Sequence, residues 1–165
     1  MQTVTKTFNI YEFDELATGI QEELIKKEEE NLRQTEIEDF LPEEMEVLAI
    51  QLLEENFEEK AVYQRVYYSL AYCQGDGAMI EFDLMYHNKP LQIRRCDHFY
   101  CHERSFEILG SDKLTDEQHE QLKEKIIDMN KKLAQYGYEF IEEDRTKQAI
   151  DQLKNCMFYE NGDIY

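Results

Sequence analysis

The spacing of apolar positions changes period twice along the chain. From residue 12 to 58 it is helical. Phe13, Leu16, Ile20 and Leu24 recur every three to four residues, which puts them on one face of a helix. Asp14 reads as its N-cap, and the KKEEE run at 26–30 as a solvated face. A second helix opens at Pro42, a residue suited to the first turn because its missing N–H would have no partner there. Glu43, Glu44 and Glu46 follow and oppose the helix dipole. Met45, Leu48 and Leu52 carry the apolar stripe, widened by Ile50 and Leu53.

Between 61 and 109 the period drops to two. Val62, Val66, Tyr68, Leu70 and Tyr72 share one parity, with Arg65, Ser69 and Cys73 on the other. The sequence Gln74-Gly75-Asp76-Gly77 is a turn by composition. Ala78, Ile80, Phe82, Leu84 and Tyr86 then alternate with Glu81 and Asp83, which predicts a β-hairpin. A turn at His87-Asn88-Lys89-Pro90 leads to a strand from Leu91 to Arg95. A further strand is expected from Phe99 to Leu109, with Phe106 and Ile108 inward. The helical period returns over 113–157. Thr115 and Gln118 form a capping-box pattern, and Leu122, Ile126, Met129, Leu133 and Tyr136 make the cleanest amphipathic stripe. Gly137 reads as a helix C-terminus, Tyr138–Ile141 as a short extended piece, and Ala149, Ile150, Leu153 and Met157 as one side of a last helix. The tail, 158–165, contains the turn dipeptide Asn161-Gly162 and aromatics suited to packing. The expectation is α+β: an antiparallel sheet of three or four strands at about 61–109, covered by N-terminal and C-terminal helices.

Composition narrows the class. The chain has 165 residues, 42% of them apolar, and only eight glycines and prolines. That fits one domain over 1–165 and excludes low-complexity and disordered readings. The opening MQTVTKTFNIYEF has no apolar core of a signal sequence, so a cytoplasmic protein is expected. Charge changes the picture more. There are 37 acidic and 18 basic residues, a net charge of −19. Residues 11–60 hold 18 acids and 4 bases, hence −14, while 61–110 hold 6 acids and 5 bases and are nearly neutral. A −14 segment has the wrong sign for nucleic-acid phosphates or an anionic membrane. It suits a basic protein surface, and Glu43, Glu44, Glu54 and Glu55 are its candidate contacts. Six tyrosines between Tyr63 and Tyr100 give the sheet a face able to support a homodimer.

Candidate metal chemistry gathers in one stretch, Cys96-Asp97-His98-Phe99-Tyr100-Cys101-His102. Two thiols and two imidazoles are the donors that tetrahedral Zn(II) prefers, so Cys96, His98, Cys101 and His102 are expected to hold a structural zinc. Cys73, His87 or Cys156 can complete the set. Arg94 and Arg95 form a neighbouring basic pair, read as exposed strand-edge charge. The Gln74–Gly77 loop lacks the Lys and Ser/Thr of a phosphate-binding loop.

The opening YEFDEL, the hairpin YYSLAYCQGDGAMIEF at 67–82, the strand FYCHERSFEI at 99–108 and the tail FYENGDIY at 158–165 resemble a group of small acidic proteins of tailed phages and prophages. The resemblance implies phage origin and a place in the host cytoplasm, and a histidine is expected in that group at the position of His102. In size, charge and lack of an active site the chain is similar to anti-CRISPR proteins. The function expected is therefore a non-enzymatic inhibitor of a host defence nuclease, with Cas9 the named partner. The alternatives are a zinc-dependent enzyme built on the 96–102 cluster and a phage assembly accessory protein.

Overall fold

Ten regular elements follow one another in the computed structural model, which describes residues 7–96 and 101–165. They are β1 (Tyr11–Glu12), α1 (Thr18–Asp39), α2 (Leu41–Phe57), β2 (Ala61–Ser69), β3 (Gly77–Tyr86), β4 (Lys89–Arg95), β5 (Phe106–Leu109), α3 (Asp116–Glu142), α4 (Thr146–Leu153) and β6 (Met157–Phe158). The class is α+β, as the two periods require. The chain divides into two compact units, one of Asp39–Glu142 and one of the described residues up to Glu38 together with Glu143–Tyr165. The acidic 12–58 segment is thus shared, with α2 in the first unit and nearly all of α1 in the second.

In the first unit β2-β3-β4-β5 form an antiparallel sheet in that order, and α2 and α3 pack on it. The alternating residues Ala78, Ile80, Phe82 and Leu84 are buried. They meet the apolar stripes of α2 (Met45, Ala49, Leu52, Leu53, Phe57) and α3 (Leu122, Ile126, Met129, Leu133), all buried. The Phe57 and Phe82 rings lie 5.6 Å apart. The capping box of α3 forms as its spacing predicts: Thr115 N donates to Gln118 Oε1 and Gln118 N to Thr115 Oγ1, each at 3.2 Å.

The β2 parity expected from the sequence breaks at a bulge. Tyr63 pairs with Phe82 and Arg65 with Glu81, leaving Gln64 as an extra residue, and an extra residue inverts alternation beyond it. Ala61 and Tyr63 therefore share a face with Val66 and Tyr68, whereas Val62 points to the opposite side and is 59% exposed. The strand ends at Ser69, so Leu70 and Tyr72 belong to the loop. The turn before β4 is His87-Asn88, both at positive φ (48° and 60°), the geometry that a two-residue hairpin turn needs. The last strand is shorter than expected, Phe106–Leu109, with Phe106 and Ile108 half-buried and Glu107 and Leu109 exposed.

Gly137 is not a terminus. Helix α3 runs through it to Glu142, and no extended piece interrupts it. A Cβ at residue 137 would stand 2.6 Å from Leu70 Cδ1 and 3.4 Å from Met45 Sδ. The glycine is there for close packing, not for a left-handed conformation. In the second unit, α1 begins at Thr18, so Asp14 lies in a short 3-10 turn and is no N-cap. Phe13, Leu16, Leu153 and Phe158 form the core, with Ile20, Leu24 and Ile150 against it. β1 pairs antiparallel with β6, and Phe158 also bridges to Ile164. Phe158 is buried and Asn161-Gly162 turns the tail back, while Ile164 and Tyr165 at its end are exposed.

Candidate functional site

Helix α2 separates its residues sharply by face. With 3.6 residues per turn, Leu41, Met45, Ala49 and Leu52 fall on the buried side and Glu43, Val47, Gln51 and Glu54 on the opposite one. Glu43 and Glu54 are eleven residues apart, about three turns or roughly 16 Å at 1.5 Å per residue. Glu44 and Glu55 repeat that spacing on the flank. All four are exposed, as is Glu46, and no Lys or Arg occurs in the helix. The neighbours come from α3. The Tyr136 hydroxyl donates to Glu44 at 3.0 Å. The Lys132 ammonium is held protonated above its ordinary range, first by its hydrogen bond to Asp128 and more weakly by Glu55. Glu43 and Glu54 have no ion pair among the described residues, so the centre of the face is unneutralised carboxylate.

Of the candidate ligands, Cys73, Cys96, Cys101 and His102 lie near one end of the sheet. Cys96 is exposed at the end of β4, where its N–H donates to Ser105 O at 3.1 Å. Cys101 is buried, its N–H donates to Gly75 O at 3.0 Å, and burial pushes its thiol upward, with Arg95 pulling the other way. His102 uses both ring nitrogens: Nε2 lies 3.0 Å from Glu103 Oε2, and Nδ1 accepts from Arg104 N at 3.4 Å. His98 lies outside the described residues. Among those described, no group of three His, Cys, Asp or Glu is placed to hold a metal ion. His87 sits in the turn at the opposite end of β4 from Cys96, against the Tyr86 ring. Seven strand residues, roughly 23 Å, separate the two ends.

Cys73 belongs to the β2–β3 loop, at the same end as Cys101. Its carboxylate neighbour organises that loop. Asp76 accepts from Ser69 Oγ (2.7 Å), Cys73 N (2.8 Å) and Cys73 Sγ (3.2 Å). The backbone N–H of Cys73, then the Ser69 hydroxyl, hold Asp76 below the usual carboxylate range, and in return Asp76 pushes the Cys73 thiol up. A thiol raised in this way is a poor nucleophile at neutral pH. Gly77 allows the segment from Cys101 to lie close, since a Cβ there would meet Cys101 O at 3.0 Å. Beside the loop is an open cleft of about 440 Å³ lined by Asp76, Glu103, Lys131, Tyr138, Glu139 and Glu142, among others. It gathers carboxylates around one lysine.

Arg94 and Arg95 are not the exposed edge charges that their position suggests. Arg94 is half-buried, pairs with Asp83 and donates to Phe82 O at 3.0 Å. The Arg95 guanidinium lies over the Tyr67 ring, 4.8 Å from its centre. Asn130 is the residue that periodicity missed. It is fully buried on α3, accepts from Ile80 N at 3.1 Å and donates to Glu103 O at 3.1 Å. One amide thus ties helix, strand and the 101–105 segment together. Its signal was a polar residue at a core position of the α3 stripe.

The chain matches no family model, no curated protein and no solved structure.

Proposed function

We propose that the chain is a non-enzymatic binding protein that sets the solvent face of α2 on a basic surface of a nucleic-acid-processing enzyme, a host defence nuclease with Cas9 as the named partner. The observation that carries the reading is the helix itself: five exposed carboxylates, no basic residue and a buried apolar back. A surface built to hold nucleic acid presents the complementary charge, and a protein seated there excludes the substrate. A helix seated on its buried side is a preformed face, and a preformed face loses little freedom on docking.

The test is cleavage of target DNA by guide-loaded Cas9, titrated with the purified chain, beside a variant carrying Glu43→Lys, Glu44→Lys, Glu54→Lys and Glu55→Lys. Inhibition near one equivalent, weakened in the variant and falling with added salt, supports the reading. No inhibition at large excess removes Cas9, and affinity equal in the two proteins at every salt concentration removes the α2 face. Zinc is a separate question, answered by metal analysis of the protein and of Cys101→Ser. One equivalent of zinc, lost in the variant, keeps the 96–102 expectation, and none after equimolar addition ends it.

A further inference from the structure

Helices α2 and α3 take one face of the β2–β5 sheet. On the other face Met79 is buried, but from Glu81 to Met85 the side chains are half-buried or exposed and follow an order that the register makes explicit. Met85 lies beside Pro90. The next row across the strands is Val62, Asp83, Gln92 and Leu109. The row after that is Arg65, Glu81, Arg94 and Glu107, since Arg65 pairs with Glu81, Arg94 with Glu107, and Glu81 lies one step beyond the Phe82–Ile93 pair.

Each row is self-complementary when reversed. The charged row reads plus, minus, plus, minus. The row beside it has apolar ends, Val62 (59% exposed) and Leu109 (42%), with a carboxylate and an amide between them. A two-fold axis running along the strands between β3 and β4 lays each row over its own reverse. Arg65 then meets Glu107 of the second copy, while Arg94, already paired with Asp83, and Glu81, which accepts from Arg95 N at 2.8 Å, lie opposite each other nearer the axis. Val62 meets Leu109, Asp83 meets the Gln92 amide, and Met85 (46% exposed) meets Pro90. An isologous contact demands this pattern, because every residue must suit the residue opposite it under the same rotation. Arg65 and Glu107 are both exposed, and neither has an ion pair among the described residues. The face also belongs to the nearly neutral part of a strongly acidic chain, with 6 acids and 5 bases over 61–110.

We propose that a second copy of this chain docks face to face on the open side of the sheet, about a two-fold axis along the strands between β3 and β4. Four strands about 4.8 Å apart, over the five residues from Glu81 to Met85, span roughly 19 by 17 Å, some 320 Å² per copy. That is below the roughly 800 Å² per partner of a standard interface, so the dimer is reversible and depends on concentration. The proposal is independent of the nuclease partner.

The experiment is sedimentation velocity on the full chain from about 5 to 200 µM, a range that brackets micromolar association. The wild-type protein is expected to pass from monomer to dimer. Arg65→Glu alone and Glu107→Arg alone set like charges against each other at two places per dimer, and each weakens association by at least about tenfold. Mixed together, the two variants restore it, because Glu at 65 then meets Arg at 107 and Arg65 meets Glu107. Circular dichroism monitors folding of each. Should Arg65→Glu fail to fold, Met85→Glu, an exposed change that places two carboxylates near the axis, is expected to abolish the dimer. A wild-type chain that stays monomeric across the range overturns the proposal. So does a dimer indifferent to Met85→Glu, or single variants that stay monomeric when mixed although both are folded.

Discussion

Arg145 offers the sharpest test of what holds the second unit together. It is 4% exposed, and its Nε lies 2.5 Å from Glu36 Oε2, joining the start of α4 to α1. Nη1 donates to Glu143 O at 2.7 Å, Gln148 reaches Glu36 at 3.4 Å, and the Thr146 hydroxyl bonds Glu29. Replacing Arg145 by Met keeps the volume of the stem and removes the charge. Breaking a buried pair from one side costs about 3–5 kcal/mol, because the other charge is left in a poor environment. The Glu36 side chain is 20% exposed, so water offsets part of that loss, and about 2–4 kcal/mol is expected. That is a large share of the roughly 5–15 kcal/mol that stabilises most domains.

The second variant decides the cause. Removing both partners, Arg145→Met with Glu36→Met, takes away the stranded carboxylate and is expected to recover at least about half of the loss, since apolar replacement of a buried pair is often close to neutral. Urea denaturation monitored by circular dichroism gives the free energies, and amide exchange over 146–153 localises the effect to the second unit. A loss below about 0.5 kcal/mol for the single variant would mean that the pair acts like an exposed one. A double variant as unstable as the single would mean that the arginine's packing, not its charge, carries the effect.

Two further outcomes follow from buried or organised polar groups. Asn130→Leu leaves Ile80 N–H buried without its acceptor, so a loss of about 2–3 kcal/mol is expected in urea denaturation; near-neutrality would show that the amide finds water instead. Asp76 titrates below its ordinary 3.8 in the folded chain. A carboxylate depressed on folding adds stability that is complete above the unfolded value and is lost as pH falls through the folded one. Exchange protection of the 70–77 loop is therefore expected to fall below about pH 4 in the wild type and to be low at every pH in Asp76→Ala; a loop equally protected in both would refute the tether.

The elements that residue spacing foretold are those whose pattern met no competing demand. The α3 stripe, its capping box and the β3 alternation from Ile80 to Leu84 each serve one buried face, so period and burial agree there, whereas at Met79 both faces of β3 are buried. The departures have local causes. In β2 a single bulge at Gln64 inverted the parity, and bulges leave no mark in an apolar pattern. Gly137 carries the signature of a helix end, yet it serves close packing against Leu70 and Met45, a contact that lies 67 and 92 residues away in sequence. The Cys/His stretch drew attention by composition, whereas ligation depends on where side chains turn, and His102 turns to Glu103 and Arg104. The acidic face of α2 was readable because it needs only helical period and charge. The self-complementary order of the open sheet face was not, since it appears only once four strands are in register.

The acidic helix and the open sheet face lie on opposite sides of the first unit, which makes the two proposals separable. In a face-to-face dimer the sheets stand about 10 Å apart, and each helix layer adds about as much. The two α2 helices then lie on the outer sides, with axes roughly 30 Å apart, several times the Debye length of about 8 Å at physiological salt. Their carboxylates therefore oppose dimerisation little, and each helix faces its own partner. The expected stoichiometry is one partner per chain, whether the chain is single or paired. Met85→Glu tests this, since residue 85 is on the sheet side away from α2. It is expected to abolish the dimer in sedimentation and leave the affinity for the basic partner within about twofold, the scatter expected of independent sites. A loss of both together would show that the partner straddles two copies, and would place the acidic faces side by side rather than outward.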